Sequence, residues 1–256
     1  LYRFGLATGK VRGVAVSLDT SWRAAGEHHD YPPAVAQLLG QCVAAAMTMV
    51  ATLKFDGRLI LQFRGEGPVS LLVVQARSDL SYRVTAQWSE SLEGDALDQS
   101  IQTLFGTGQL ALTIEPDEGV RYQSLVPIEG TQIAEALEGY FRQSEQLPTR
   151  LVLSADSERA VGILIQQVPG EGGTPMVRAS AADADFEHLS IMADTLLTPQ
   201  GRAEFQSTDM PTILHRLFHQ DALVLTQLSD VRFFCGCSRT VVGAMLRSLG
   251  RDELNA

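Results

Sequence analysis

Residues 31–53, "YPPAVAQLLGQCVAAAMTMVATL", carry no charge over a run long enough for six helical turns. The stretch could span a bilayer by length. It is rich in Ala, however, and interrupted by Gln37, Gln41, Thr48 and Thr52, with no basic cluster before it. Small residues on every side suit a helix packed closely by several neighbours. We therefore expect a buried central helix and no membrane partner, with Cys42 as a buried thiol within it. The rest of the fold must supply surfaces to cover that helix.

The flanking sequence offers strands. "RLILQFR" (58–64) and "VSLLVVQA" (69–76) surround "GEGP", and "GQLALTIEP" (108–116) and "RYQSLVPI" (121–128) surround "DEGV". Both read as antiparallel hairpins with glycine in the connection. "SYRVTAQW" (81–88), "TRLVLSA" (149–155) and "AVGILIQQV" (160–168) are further strands. Between them "GTQIAEALEGYFRQSEQL" (130–147) has helical periodicity, with Thr131 as its predicted N-cap. Strands lead, a helix intervenes and strands resume without a βαβ rhythm, which predicts an α+β fold built on antiparallel sheet.

At 169–185, "PGEGGTPMVRASAADAD", the composition shifts to Gly, Ala, Ser and Asp, as in a linker. Short helices follow, one starting near Asp185. Another has Thr198 as N-cap and Pro199 at its first position, and "DMPTILHRLFHQ" repeats that cap-then-proline pattern. "ALVLTQL" (222–228) and "VRFF" (231–234) read as a strand pair, and "TVVGAMLRSLGRDEL" as a closing amphipathic helix.

Enzyme motifs fail. There is no G-x-S-x-G, and "GLATGKV" (5–11) is one residue short of a phosphate loop and lacks its Ser or Thr. "GEGPVS" runs into a strand, whereas a phosphate loop opens a helix. With 20 Lys and Arg against 30 Asp and Glu, the net charge of -10 repels phosphate backbones and argues against nucleic acid. Three cysteines are too few for a secreted disulfide scaffold, and no signal peptide is visible, so we expect a reducing, cytoplasmic setting.

Two of those cysteines, Cys235 and Cys237, flank a glycine in "FFCGCSRT". The glycine lets the backbone turn so that both sulfurs face one ion, and thiolates suit zinc. Held thiolates are also what oxidants attack. A Cys-x-Cys pair alone leaves a metal site, a local disulfide and two inert thiols all open. His215 and His219, four residues apart on a predicted helix, are a conceivable second pair of ligands, but Ile213, Leu214, Leu217 and Phe218 point to an ordinary packed helix with those histidines in solvent.

Several stretches in order across nearly the whole chain resemble the 33-kilodalton heat-shock protein family of redox-regulated bacterial chaperones. They are "HDYP" (29–32), "ATLKFDG" (51–57), "GEGP" (65–68), "GTGQLALTI" (106–114), "RYQSLVPIEG" (121–130), "YFRQSEQLPTR" (140–150), "LHRLFH" (214–219) and "FFCGCSR" (233–239). The resemblance implies a holdase that binds unfolding proteins and prevents their aggregation under oxidative stress and heat, without catalysis. It implies a chaperone core over 1–170, a helical linker over 171–231 and the start of a zinc-binding redox domain over 232–256. Cys235 and Cys237 become half of a four-cysteine Zn2+ site and the redox-switch disulfide. A second cysteine pair is expected beyond them, yet none of the 19 residues after Cys237 is Cys, so zinc binding by this chain is expected to be impaired. Oxidation would expel zinc, loosen the linker, expose Leu189, Ile191, Met192, Leu196 and Leu197, and promote a homodimer. The competing reading is a zinc- or thiol-dependent oxidoreductase using Cys235 and Cys237.

Overall fold

A computed structural model describes residues 1–234 apart from 8, 28–29, 54–55, 91, 93–99 and 169–174, with only the backbone path given for 175–182. The chain runs β1 (Tyr2–Leu6), β2 (Val11–Leu18), α1 (Thr20–Gly26), α2 (Pro33–Val50), β3 (Gly57–Gly65), β4 (Val69–Arg77) and β5 (Ser81–Trp88). It continues through α3 (Ile101–Phe105), β6 (Gly108–Pro116), β7 (Tyr122–Pro127) and α4 (Ile133–Tyr140), then a π-helical turn over Phe141–Glu145. β8 (Thr149–Ala155), β9 (Ala160–Gln167), α5 (Pro175–Asp194), a 3-10 turn (Thr195–Leu197), α6 (Pro199–Ser207), α7 (Met210–Phe218), β10 (Leu223–Gln227) and β11 (Arg232–Phe233) complete it.

The uncharged helix is α2. It lies between two sheets, packing on β2, β8 and β9 on one side and on β3, β4 and β5 on the other. By length and apolarity it could cross a membrane, but here 78% of it is buried within the protein. The abundance of Ala and Gly follows from that position. Gly40 faces Ala155 so closely that a Cβ would lie 2.5 Å from the alanine methyl, and Gly162 of β9 meets Ala44 in the same way at 3.1 Å. A larger side chain at either glycine would force the helix off the sheet. Pro33 opens the helix at a position where no N–H is needed, and Thr48, fully buried, donates to the Ala45 carbonyl at 2.8 Å.

The two sheets have strand orders β10-β1-β2-β9-β8 and β11-β5-β4-β3-β6-β7. Among the described residues every pairing is antiparallel except β11 with β5. The predicted hairpins appear as β3–β4 and β6–β7, and the α+β class holds. Alternation is clean in β3, where Leu59, Leu61 and Phe63 point to the core and Ile60, Gln62 and Arg64 do not. Strand β9 is buried on both faces along nearly its whole length, which explains its unbroken apolar run.

Three expectations need correction. The segments at 222–228 and 231–234 are strands but do not pair with each other: β10 joins β1 of one sheet and β11 joins β5 of the other. The Ala/Ser-rich stretch after 174 is helix from Pro175, because alanine is the strongest helix former whatever its low hydrophobicity suggests. The cap of α4 is Gln132; the Thr131 side chain instead donates to Glu135. Strands β1 and β2 had no counterpart in the sequence reading. The closing helix predicted after Arg239 lies outside the described residues.

Candidate functional site

The five-stranded sheet has two apolar faces. One packs on α2 through Val14, Val16, Leu18, Leu151, Leu153 and Leu164. The other presents Phe4, Val11, Ala15, Val152, Val161, Ile163 and Ile165, and α5, α6 and α7 cover it. From the helices Leu189, Ala193, Leu196, Phe205, Met210, Ile213, Leu214, Leu217 and Phe218 complete this second core. Each large side chain so buried contributes about 1.5–3 kcal/mol.

That contribution decides whether these helices exist. Helices α6 and α7 have 9 residues each. Isolated helices shorter than roughly 12–15 residues are marginal in water. Their caps are sound: Thr198 accepts from the Gly201 N–H at 3.1 Å and Asp209 from the Thr212 N–H at 3.0 Å, each ahead of a proline. Caps add only about 0.5–2 kcal/mol each. Removed from the sheet, the two helices would melt.

Register defines how the face is built. Cross-strand partners place Leu225, Phe4, Gly13, Ile165 and Arg150 in one row from β10 to β8. The Phe4 ring lies flat over Gly13, where an added Cβ would come within 2.1 Å of the ring. Phe218 stacks on Phe4 with ring centroids 5.8 Å apart. Glycine at 13 is what leaves room for this arrangement.

Polar bonds clasp the helices at the rim. Arg150 reaches Asp194 at the end of α5 at 2.6 Å and Glu138 of α4 at 3.1 Å, while Glu138 also accepts the Leu151 N–H at 2.8 Å. Burial pushes the Glu138 carboxyl above its ordinary range, and the Leu151 N–H and the Arg150 guanidinium pull against that shift. Arg159 bridges Ser17 of β2 and the Gln206 carbonyl of α6 at 2.8 and 2.7 Å, and Gln206 donates to Ser154 of β8 at 2.9 Å. Of the five apolar residues expected to be held back, Leu189 and Leu196 are buried, and Met192 and Leu197 pack on the cluster. Ile191 does not fit: it is 59% exposed already, on the outer side of α5.

After the helices the chain crosses to the second sheet. Arg232 donates its N–H to the Leu80 carbonyl and its guanidinium to Asp79 at 2.6 Å. Phe233 meets Tyr82 edge-on at 5.7 Å, and the Phe234 N–H bonds to the Tyr82 carbonyl at 2.9 Å. The Asp79 carboxyl is held below its ordinary range by the Ser81 hydroxyl first, then by the Ser81 N–H and Arg232. This strap ends immediately before Cys235. Cys235 and Cys237 themselves lie outside the described residues.

Among the described residues no group of three or more His, Cys, Asp or Glu side chains could hold a metal. His215 and His219 sit on the exposed side of α7, with His219 Nδ1 3.1 Å from the Arg216 carbonyl. They look away from the sheet, as the packed-helix reading expects. Cys42 is wholly buried against both sheets, and burial pushes its thiol far up in pKa, so it is not a reactive group. Sequence reading missed Phe4, Gly13, Asp194 and the Asp79–Arg232 pair. Only the alternation in "YRFGL" and "VRGVAVSL" could have hinted at the first two.

Comparison with known proteins bears directly on this arrangement. A family model described as "Hsp33 protein" matches residues 1–256. A 33 kDa chaperonin of Nitrosococcus oceani is 40% identical over 256 residues, covering 100% of this chain and 83% of its own. One from Pseudomonas aeruginosa is 42% identical over 252 residues, covering 98% and 82%. The crystal structure of the 33 kDa chaperonin of Thermotoga maritima, a heat shock protein 33 homolog, superimposes with a TM-score of 0.77 at 20% identity, covering 99% of this chain and 86% of that one. These relatives carry chaperonin names, and nothing among them supports the oxidoreductase alternative. On the match along its whole length, the chain belongs to the Hsp33 family.

Proposed function

We propose that this protein is a redox-regulated holdase chaperone of the stress response, acting in the cytoplasm on unfolding proteins. The observation that carries the reading is the second core: short helices that depend on docking cover an apolar sheet face, and the chain leaving them is strapped to both sheets just before two cysteines. Undocking would expose the sheet face and the inner sides of α5–α7 together. A contiguous apolar surface of that kind is what a holdase needs.

In this reading the core spans 1–170, the linker 171–231 and the start of the redox domain 232–256, although β10 within the linker range completes the core sheet. Cys235 and Cys237 would hold Zn2+ together with two further ligands; two thiolates on either side of a glycine suit half of a tetrahedral site. Bound zinc would keep both thiols deprotonated and contribute its binding energy to the folding of that segment. On oxidation the two thiolates lose two electrons to peroxide. The S–S bond forms, the O–O bond breaks, and two protons complete two waters. The sulfurs are then lost as ligands, the strap and helices loosen, and two copies associate.

The test, made on a chain that carries a second cysteine pair, follows zinc content, suppression of client aggregation and amide exchange over 186–218, before and after peroxide with mild heat. We expect zinc to fall while suppression and exchange rise together. Equal suppression by the reduced, zinc-loaded protein would overturn the switch.

A further inference from the structure

Among the described residues four strands end the two sheets, and three of them carry features that disfavour further pairing. On β8 the outward Leu151 N–H is already taken by Glu138 at 2.8 Å, and Arg150 adds a charge. Strand β7 follows Arg121 and ends on Pro127, and β11 has only two residues. Charges, prolines and shortness are the usual protection of a sheet edge.

Strand β10 has none of these. Ala7 donates to the Ala222 carbonyl and Leu228 to the Leu1 carbonyl, so residues 222, 224, 226 and 228 direct their backbone groups toward β1. Antiparallel alternation then turns the N–H and C=O groups of Leu225 and Gln227 away from the sheet. The Leu223 N–H is used by Asp221, at 2.7 Å, leaving its carbonyl on the same outward row. Val224 is 60% and Leu225 41% exposed, and no charged residue stands between Asp221 and Asp230.

The position of this edge matters as much as its chemistry. Leu225 is the direct cross-strand neighbour of Phe4, at the end of the row that α7 covers through Phe218. Departure of α7 would join Phe4 to Leu225 in one apolar strip running along an open hydrogen-bonding edge. The Asp230 carboxylate stands exposed at one end of the edge and Asp221, 3.3 Å from His188, at the other, on a chain of net charge -10. The matching ligand is extended, apolar in the middle and basic at its ends.

We propose that the β10 edge captures such segments of unfolding clients by strand addition, Leu225 and Gln227 supplying the backbone rungs and Phe4 and Leu225 the apolar contact; this rests on the chaperone reading above. Unfolding proteins present both unpaired backbone groups and apolar side chains, whereas folded ones do not. Binding is weak while α7 is docked, because two rungs and one rim leucine are a small site, and it strengthens when Phe4 is uncovered.

The experiment uses a fluorescent peptide of about six residues, Lys-Val-Thr-Val-Leu-Lys, and two versions N-methylated on alternate amides. N-methylation removes donors on one edge of an extended peptide without changing its side chains. The oxidised protein should bind the parent peptide, and one methylated series should lose about tenfold or more in affinity. Leu225→Lys should weaken binding similarly. Leu225→Pro should do so by removing an N–H that β1 does not use, with the melting curve reporting whether each variant is folded. Equal binding of the parent and both methylated peptides to the wild-type protein overturns the proposal without any variant. So does unaltered peptide binding by both folded variants. A change confined to self-association, seen by sedimentation, assigns the edge to a second copy of the chain and overturns client capture. Failure of the oxidised wild type to suppress aggregation overturns the chaperone reading instead, and is read in a separate assay.

Discussion

Phe218, the last residue of α7, stacks on Phe4 at a centroid distance of 5.8 Å and an interplanar angle of 27°, and Phe4 in turn occupies the space above Gly13. The contact ties a helix that cannot stand alone to a strand that opens the chain. Both rings are buried, at 1% and 5% exposure, so the pair is a test of what docking is worth. Phe218→Ala removes about 3–5 kcal/mol. Amide exchange over 189–218 should accelerate while β8 and β9 stay protected, and client aggregation should be suppressed without oxidant. Acceleration spread evenly over both sheets would show instead that the helices and core unfold as one unit.

Substitution from below should act on the same contact. Gly13→Ala drives a methyl into the Phe4 ring, and overpacking of this kind costs about 1–3 kcal/mol. Its expected signature is the same faster exchange in α7, smaller than for Phe218→Ala. Unchanged exchange in α7 would mean that Phe4 moves aside without loosening Phe218.

The Arg150 clasp gives a pH-dependent prediction. Glu138 is raised above its ordinary value of 4.5, chiefly by burial. A raised carboxyl contributes stability in full below 4.5, and that contribution is lost as pH rises through the folded-state value. Arg150→Met removes the cation that opposes the shift, so the carboxyl rises further and the loss at neutral pH grows. We expect roughly 1.5–3 kcal/mol lower stability near neutrality, with urea midpoints that fall more steeply with pH than those of the wild type. Parallel curves would show that Arg150 does not govern Glu138.

The strap before the cysteines should behave in the opposite sense. Asp79 lies below its ordinary value of 3.8, held by Ser81 and Arg232. Its contribution is present above 3.8 and lost as pH falls through the lower folded value. Asp79→Asn should therefore free the Arg232 and Phe234 amides to exchange at neutral pH, as acid does in the wild type. If those amides keep full protection in the variant, the backbone bonds to Leu80 and Tyr82 hold β11 alone.

Thiol chemistry separates the three cysteines. In the presence of a chelator, an alkylating reagent at neutral pH should modify Cys235 and Cys237 and leave Cys42 unreacted until denaturant is added. Peptide mass spectrometry reads this directly. Native labelling of Cys42 would mean that α2 opens far more often than its wholly buried position allows.

The sheet strands were readable where their pattern is local. Leu59, Leu61 and Phe63 alternate with more exposed residues between glycine-bearing turns, and α2 announced itself by carrying no charge. Strands β1 and β2 were lost because "YRFGL" is short and Gly13 interrupts the alternation of "VRGVAVSL". Partnership was less readable still. Nothing local tells Leu225 that it faces Phe4, or Phe233 that it joins Tyr82, because register is set by contacts remote in sequence. The Arg150 clasp draws on three elements for the same reason. The cysteine pair was the reverse case: conspicuous as "CGC", and given its meaning by resemblance across the chain.

Helices α5–α7 are not a tail. Strand β9 leaves the five-stranded sheet at Gln167 and β10 rejoins the same sheet at Leu223, so both ends of the helical segment stay anchored when its middle lets go. Undocking swells a closed loop instead of releasing a free end. The entropy gained grows only slowly with the length of such a loop, and the tethered helices remain at an effective concentration of about millimolar over their own binding face. If the helices undock as proposed, the fold carries a built-in return path: once the trigger is withdrawn, recapture is an intramolecular event whose rate does not depend on how dilute the protein is.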